Sequence, residues 1–385
     1  MILPPATLGV LGGGQLGRYF VIAAQQMGYR VVVLDPDENS VAGRIADTHL
    51  VAAYDDEAAL TRFAGLCAAV TTEFESVPAD SLAFLSDSIP VRPGAGALTI
   101  SQERGAEKSF LTAHGFPHVP YALIRSEDDI QQADLTLFPA ILKVVRFGYD
   151  GKGQVRVADR QAALQAFGQL KREKCVLERQ IPLDAEVSLV LTRSEQGEVA
   201  YFPLAENRHR DGILDYSRVP ARQVSSAQAA QAREIAGGIA VGMDYVGTLS
   251  VEFFVAAGRL LVNEVAPRPH NSGHFTLDAC LSSQFEQQVR ALCGLPLGDV
   301  TAHCAAVMVN LLGDLWFAGG SKQAREPDWQ TLLLVPNLKL HLYGKQDARP
   351  GRKMGHFTVL GDDPEKVYDI ALACRAAIGA GRSIS

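Results

Sequence analysis

Two glutamates, Glu252 and Glu264, pose the first chemical question in this 385-residue chain. They lie in the apolar runs SVEFFV and LLVNEV, on either side of Gly258. A hairpin around that glycine sets Glu252 opposite Glu264 and Phe254 opposite Val262. Like charges directly opposite one another destabilise a strand pair. They are tolerated when one is protonated or when a cation sits between them. Mg²⁺ favours one or two carboxylates plus phosphate oxygens, so the pair points to a magnesium–nucleotide site. A slipped register would leave each glutamate as an ordinary surface charge.

Three further stretches carry chemistry. In RFGYDGKGQ, Gly148, Gly151 and Gly153 free the backbone to approach phosphates, and Lys152 adds a point charge. The loop lacks G-K-[ST] and leads into a strand, so it reads as a flap between two strands, although D-G also suits a plain hairpin turn. Lys143 ends the apolar run PAILK, where a buried lysine needs an anion and a nucleotide phosphate would supply one. A lysine snorkelling to the surface is the alternative. The segment NEVAPRPHNSGH, 263 to 274, gathers Glu264, Arg268, His270, Asn271 and His274. Its prolines and glycine exclude a helix, and polar loops of this kind carry function, a solvated loop being the other reading. The i, i+4 spacing of His270 and His274 suits a metal only on a helix, which Pro269 disfavours.

A different glycine loop opens the chain. In LGVLGGGQLGR, Gly12, Gly14 and Gly17 fit G-x-G-x-x-G, with Asp35 at about the spacing of a dinucleotide fold. The expectation is a strand, a tight turn and a helix N-terminus suited to an anion. Read alone, this loop names a NAD or FAD enzyme, but that reading leaves the glutamate pair, the flap and the polar loop without a use.

The elements that must position these residues follow from the pattern. Residues 7 to 105 alternate strands and helices with short turns, which implies a parallel sheet covered on both faces. Ligands are expected at the carboxyl ends of its strands, where Gly14, Asp35 and Glu73 sit. HGFPHVPY, 114 to 121, reads as a connection into a small antiparallel α+β unit with strands FPAILKVV, QVRVA, CVLERQI, AEVSLVLTR and EVAYFPLAE. A helix rich in Ala and Gly over 227 to 242 leads to the glutamate hairpin. After about residue 300, AAVMVNLLG, LKLHLYG and MGHFTVLG suggest a small β-rich domain.

Composition narrows the class. With 47% apolar and 21% charged residues the chain is an ordinary globular protein of two or three domains. A net charge of −7 argues against general affinity for nucleic acid. The six cysteines, at 67, 175, 280, 293, 304 and 374, form no C-x-x-C and no zinc pattern, so buried thiols in a reducing compartment are expected. MILPPATLGV is uncharged and interrupted by Pro4 and Pro5, unlike a secretory leader. No run of 18 apolar residues suggests a membrane span. The expectation is a cytoplasmic protein.

Together the lysine, the flap, the E-x-x-I stretch from Glu178 to Ile181 and the paired carboxylates resemble the ATP-grasp superfamily. Within it the whole chain is similar to the 5-(carboxyamino)imidazole ribonucleotide synthases of purine biosynthesis. The matching stretches are GGGQLGR (12 to 18), TTEFESVP (71 to 78), GYDGKGQ (148 to 154), NRHRDGIL (207 to 214), NEVAPRPHNSGH (263 to 274) and RPGRKMGH (349 to 356). The resemblance implies α/β and α+β architecture. An ATP-grasp fold would be preceded by a Rossmann-like (pre-ATP-grasp) domain and followed by the small β-rich domain. The implied boundaries are 1–113, 114–299 (with a flap subdomain at about 138–207) and 300–385. It also implies a carbon–nitrogen ligase reaction in which ATP converts bicarbonate to carboxyphosphate. The carboxyl group then passes to the amine of aminoimidazole ribonucleotide.

Site roles follow from the same resemblance. Glu252 and Glu264 would hold Mg²⁺ or Mn²⁺, with Asn263 close by, although strict strand alternation points Asn263 away. Arg104, Lys143 and the flap residues Gly148, Tyr149, Asp150, Gly151, Lys152 and Gly153 would contact ATP. Glu178, Arg179, Gln180 and Ile181 would line the adenine pocket, Glu186 would bind ribose, and His209 would lie near the nucleotide. Arg268, His270 and Asn271 would be catalytic, around bicarbonate and carboxyphosphate. Gln15, Glu73, Tyr149, Asp150, Lys345 and Arg352 would bind the ribonucleotide, Lys345 and Arg352 at its 5′-phosphate. A homodimer is implied as well. Residues 320 to 340 match no part of this pattern. Another ATP-grasp enzyme, such as the formate-dependent glycinamide ribonucleotide transformylase, shares the glycine loop and the paired glutamates. PRPHNSGH and RPGRKMGH favour the carboxylating synthases. A catalytically dead nucleotide sensor would be expected to have lost some of these charged residues, and none is missing.

Overall fold

Short apolar strands alternating with helices over the first hundred residues produce the expected parallel sheet. The computed structural model describes residues 1–146, 153–320 and 323–380. Its first sheet has the order β3-β2-β1-β4, from β1 (Thr7–Leu11), β2 (Arg30–Leu34), β3 (Thr48–Leu50) and β4 (Ala69–Thr72), all parallel. The helix Gln15–Gln26 packs Leu16, Tyr19, Phe20 and Val21 toward this sheet. Two short helices, Ala79–Ser86 and Ala95–Ser101, follow β4.

The second sheet is antiparallel, in the order β5-β8-β6-β7: β5 (Tyr121–Ile124), β6 (Ala140–Val144), β7 (Gln154–Val157) and β8 (Cys175–Arg179). Its core is Ile124, Leu142, Val157, Phe167 and Leu177.

The third sheet runs β14-β13-β9-β11-β12-β15-β17-β16, with β10 paired to β9. Its strands are β9 (Ala185–Arg193), β10 (Val199–Tyr201), β11 (Ala205–Arg210), β12 (Ile213–Val219), β13 (Gly247–Ala256), β14 (Arg259–Ala266), β15 (Ala305–Leu312), β16 (Leu338–Leu342) and β17 (Lys353–Gly361). The C-terminal strands hydrogen-bond to β12 through β15 and so extend the central sheet. They also carry a 17-residue helix, Pro364–Ala380, against β15 and β17.

Strand alternation sorts the third sheet into two chemistries. Val187, Leu189, Val251, Phe253 and Val255 bury against the helix Ser226–Gly242, through its Ile235, Ala236 and Ile239. Ser225 and Gln228 close a capping box at that helix's start. Glu186, Ser188 and Glu252 occupy the intervening positions and so share the opposite face. The apolar face fixes the strands, which in turn place the polar side chains. All six cysteines are free thiols. Among the described residues no helix is long and apolar enough to cross a membrane.

Candidate active site

The hairpin of β13 and β14 turns through Ala257 and Gly258, both at positive φ (48° and 75°), with Ala256 paired to Arg259. This is the two-residue turn whose twist matches its strands. Its centre lies between Ala257 and Gly258, so Phe254 pairs with Leu261 and not with Val262 as expected. A β-bulge then shifts the register between Glu252 and Phe253, and beyond it Glu252 faces Glu264 directly. The bulged residue is Asn263. Strict alternation would send its side chain to the apolar face, but the bulge re-aims it, and its Nδ2 donates to Glu252 Oε2 at 3.4 Å. Burial raises the Glu252 carboxyl above the ordinary range, and Glu264 and Glu186 add to this against the pull of His209. Crowded carboxylates with an amide oxygen beside them are the donor set of a hard divalent cation.

Glu186 on β9 pairs with His209 on β11 through Nδ1. A second bulge, between Arg208 and His209, precedes the turn at Asp211 and Gly212 that joins β11 to β12. Burial alone would lower His209, yet the hydrogen bond it donates to Glu186 and the charge of Glu252 hold it above the ordinary value.

The second sheet supplies the cations. Lys143, on β6, is buried, and its anion in the ligand-free chain is Glu178 on β8, with Nζ to Oε2 at 2.6 Å. Lys108, 1% exposed, reaches the other Glu178 oxygen at 3.6 Å and donates to Asn263 O at 3.0 Å. It therefore joins the second sheet to the carboxylate hairpin. Burial by itself would raise Glu178, but Lys108 and Lys143 outweigh it and hold the carboxyl at about 2. Arg104, one turn before Lys108 on the helix Arg104–Ala113, meets Glu264 Oε2 at 3.4 Å.

The polar loop lies over the same sheet face. Ser188 Oγ, opposite Glu252 in the register, donates to Ser272 Oγ at 2.7 Å. Ser272 in turn contacts His270 Nδ1 at 2.8 Å, and His270 Nε2 lies 3.4 Å from Glu252 Oε1. Gln284 clamps the His270 backbone twice, at 2.8 Å each. Burial, reinforced by Arg268 and Lys353, drives His270 well below the usual histidine value, so it is neutral. Arg268 pairs through Nε with Glu75 from the first domain. Asn271 is buried, and neither polar atom of its side-chain amide finds a hydrogen-bond partner among the described residues. Such a group is costly unless a ligand completes it. The segment was expected to be non-helical; it contains one 3₁₀ turn, Asn271–Gly273, which His270 caps.

At the opening glycine loop the freed N–H groups meet the protein's own carboxylates. Gly14 caps the helix Gln15–Gln26 without a side chain to offer. Glu73 reaches across from the end of β4 and accepts from the N–H groups of Gly14 and Gly17, the latter at 2.6 Å. Asp35 accepts from Gly13 N–H at 2.6 Å and from the Tyr54 hydroxyl at 2.6 Å. The donors a pyrophosphate would use are thus committed to the protein's own carboxylates. A cleft of about 380 Å³ opens beside them, lined by Glu73, Asp35, Ser40, Lys345 and Arg352 among others. Lys345 donates to Gln15 Oε1 at 2.7 Å and to Lys353 O at 2.8 Å. The segment between β16 and β17 thereby carries C-terminal cations onto the N-terminal loop.

Comparison with known proteins agrees in every part of the chain. Residues 5–102 match the ribonucleotide synthetase pre-ATP-grasp domain, 109–285 the ATP-grasp domain, and 306–369 the phosphoribosylaminoimidazole carboxylase C-terminal domain. The N5-carboxyaminoimidazole ribonucleotide synthase of Bacillus subtilis (strain 168) is 41% identical over 94% of this chain and 93% of its own. The chain belongs to the N5-carboxyaminoimidazole ribonucleotide synthase family. Its fold is also similar to the Staphylococcus aureus synthetase complexed with ADP, with TM-score 0.88, 37% identity and coverage of 97% and 98% of the two chains. The Aspergillus clavatus synthase in complex with ADP and 5-aminoimidazole ribonucleotide has TM-score 0.88 at 28% identity, covering 97% and 98%.

Within this synthase framework most of the expected residues converge. Glu252, Asn263, Glu264, His270, Glu186 and His209 share one sheet face. Lys143, Glu178 and Arg104 adjoin it, and Glu73, Lys345 and Arg352 line the cleft. Arg179 and Gln180 are exposed, with Ile181 half-buried beside them. The N–H groups of Arg179 and Gln180 are committed to Pro120 O and Pro139 O, at 2.9 and 2.8 Å. In the ligand-free chain Lys143 pairs with Glu178, whose side chain faces the lysines, and Glu73 meets the N–H groups of the first glycine loop. The expected contacts of Gly148, Tyr149, Asp150, Gly151 and Lys152 lie outside the described residues; Gly153 N-terminal to β7 accepts from Val144 N–H at 2.9 Å. Sequence reasoning missed Lys108 and Glu75. Lys108 was within reach of it: Arg104 and Lys108, i and i+4 on one helix, present two cations on one face.

Proposed function

We propose that this chain is an ATP-dependent carbon–nitrogen ligase that carboxylates aminoimidazole ribonucleotide with bicarbonate through carboxyphosphate, releasing ADP and phosphate. The observation that carries the reading is one of placement. The loop 268–271 lies on the sheet face that carries Glu252 and Glu264, and Arg268 reaches through Glu75 into the segment that lines the cleft. Activation at one end and acceptance at the other then need only a short transfer.

Glu252 and Glu264, with Asn263 beside them, would hold Mg²⁺; their mutual crowding and the raised Glu252 carboxyl fit a cation. The bound ion would screen the negative charge of the ATP phosphates. Arg104, Lys143 and Gly153 with the rest of the flap bind those phosphates, the Glu178–Ile181 stretch takes the adenine, and Glu186 with His209 takes the ribose. Arg268 stabilises the negative charge on carboxyphosphate, and in a water-poor site such a preset cation is worth far more than in solution. Neutral His270 and unpartnered Asn271 orient the carboxyl donor against the amine. Gln15 and Glu73 bind the sugar of the ribonucleotide, and Lys345 and Arg352 bind its 5′-phosphate. The chain works as a homodimer.

ATP hydrolysis by the purified chain should rise when aminoimidazole ribonucleotide and bicarbonate are added together. Stimulation by glycinamide ribonucleotide plus formate instead would assign it to a different ATP-grasp reaction.

A further inference from the structure

The pairing of Arg268 with Glu75 joins two domains at one charged contact, and no role in the reaction so far uses Glu75. Glu75 stands two residues after Glu73, on the segment that leaves β4. That segment is pinned along its length. Glu73 is fixed to Gly14 and Gly17, and Thr72 Oγ1 donates to Phe74 O at 3.0 Å. The Phe74 ring meets Tyr54 edge-on at 5.5 Å, Val77 is fully buried, and Gln102 Nε2 donates to Val77 O at 2.6 Å. A carboxylate on so constrained a backbone is a fixed point. The Arg268 guanidinium is held at two of its three nitrogens, Nε by Glu75 and Nη1 by Pro269 O at 3.2 Å. Nη2 has no protein hydrogen bond among the described residues. Arg268 outweighs burial and keeps Glu75 below the ordinary carboxylate range, so the contact is a charged pair.

We infer that Glu75 is a positioning residue that fixes the Arg268 fork from the first domain, leaving the Nη2 corner to receive the bicarbonate-derived anion. This deepens the proposed reaction and rests on the reading of Arg268 given above. A guanidinium is planar and its donors are rigidly disposed, so anchoring one edge sets the direction of the other. The same segment carries Glu73 into the ribonucleotide cleft. The cleft and the anion site are therefore held in register by one short piece of backbone.

Steady-state kinetics of the full chain, with ATP, bicarbonate and aminoimidazole ribonucleotide varied in turn, test this. Glu75→Gln and Glu75→Ala should raise the KM for bicarbonate by about tenfold or more, the scale of a misplaced binding group. The KM for ATP should stay near wild type, and Glu75→Asp, which keeps the charge, should recover part of the loss. Arg268→Gln is the control. If it leaves the bicarbonate KM and kcat unchanged, the reading of Arg268 fails and the role of Glu75 falls with it. If Arg268→Gln is inactive while Glu75→Gln keeps the wild-type bicarbonate KM, the positioning role alone is overturned. A lower bicarbonate KM in Glu75→Gln also overturns it, since Glu75 would then be a competitor of the anion. If Glu75→Ala does not fold, Glu75→Gln decides.

Discussion

Replacing Glu178 by glutamine tests the electrostatic joint between the second sheet and the carboxylate hairpin. The carboxylate sits 2.6 Å from Lys143 Nζ and 3.6 Å from Lys108 Nζ, with 3% of its surface exposed. At an effective dielectric of about 20 these contacts represent roughly 6 and 5 kcal/mol of gross attraction. Most of that offsets the cost of taking three charges out of water, several kcal/mol each. The net value of the assembly is small, but its loss is not symmetric. Glutamine keeps the shape and one acceptor oxygen while leaving two ammonium groups without a counter-charge. Removing one partner of a buried pair costs about 3–5 kcal/mol, and the retained oxygen places this case near the lower end.

The assay should be local, because a chain with three sheets need not unfold as one unit. Hydrogen exchange of peptides covering β6 and β8 in the ligand-free chain reads the opening free energy directly. A loss of about 3 kcal/mol speeds exchange there roughly 100-fold, with β1 and β2 of the first domain unaffected. Added Mg²⁺ and ADP should slow exchange by a larger factor in Glu178→Gln than in wild type, because a phosphate would restore the missing anion. Acceleration below about fivefold, equivalent to about 1 kcal/mol, would refute the reasoning: the lysines would then be solvated well enough to need no partner.

Other perturbations separate the parts of the site. Glu264→Gln should lower turnover by more than about 100-fold, since losing a direct metal ligand exceeds the typical effect of losing its supporting groups; a near wild-type kcat would remove the metal assignment. Lys345→Ala and Arg352→Ala should each raise the KM for the ribonucleotide by roughly 10- to 100-fold, the worth of a charged hydrogen bond, and leave the KM for ATP in place. An equal rise in both constants would argue against a phosphate contact. His274 is fully buried and held at about 3 by burial and its charged neighbours. A histidine depressed in the folded state costs nothing above its unfolded value near 6.5 and destabilises as pH falls from there toward 3. Relative to His274→Phe, wild type should therefore lose about 1.4 kcal/mol between pH 7.5 and 5.5. Urea midpoints of the two proteins that stay parallel across this range would contradict it.

What the sequence made legible was the set of elements with strong periodicity and the motifs they carry. The alternation in VEFFV and LVNEV identified two strands, and the turn residues beside them identified a hairpin. The pairing of Glu252 with Glu264 was reached by assuming a turn centred on Gly258. The real turn is centred half a residue earlier, and the bulge at Asn263 restores the pairing. A bulge leaves no mark in the hydrophobic pattern, because one extra residue in a half-polar stretch disturbs no apolar position. The role of Asn263 was for that reason obscure until the register was known. Glu75 was hidden differently. It acts across a domain boundary, on a partner 193 residues away, and no local spacing encodes such a contact.

The opening glycine loop shows how a backbone motif and its ligand come apart. G-x-G-x-x-G specifies a tight turn and a close approach, and both are present: a Cβ at Gly17 would lie 2.6 Å from Gly12 O. The motif does not specify which anion the freed N–H groups meet. Here Glu73 and Asp35 arrive from neighbouring strand ends and take three of those donors. A Cβ at Gly12 would lie 2.3 Å from Glu73 Cγ, and one at Gly14 would lie 2.3 Å from Glu73 Oε1. The glycines are therefore required by a carboxylate of the protein rather than by a cofactor. A pyrophosphate could bind only by displacing Glu73, whose burial already raises its carboxyl above the ordinary range. Fixing Glu73 in this way turns a cofactor loop into a rigid wall of the cleft, and it places Glu75 two residues further on at Arg268.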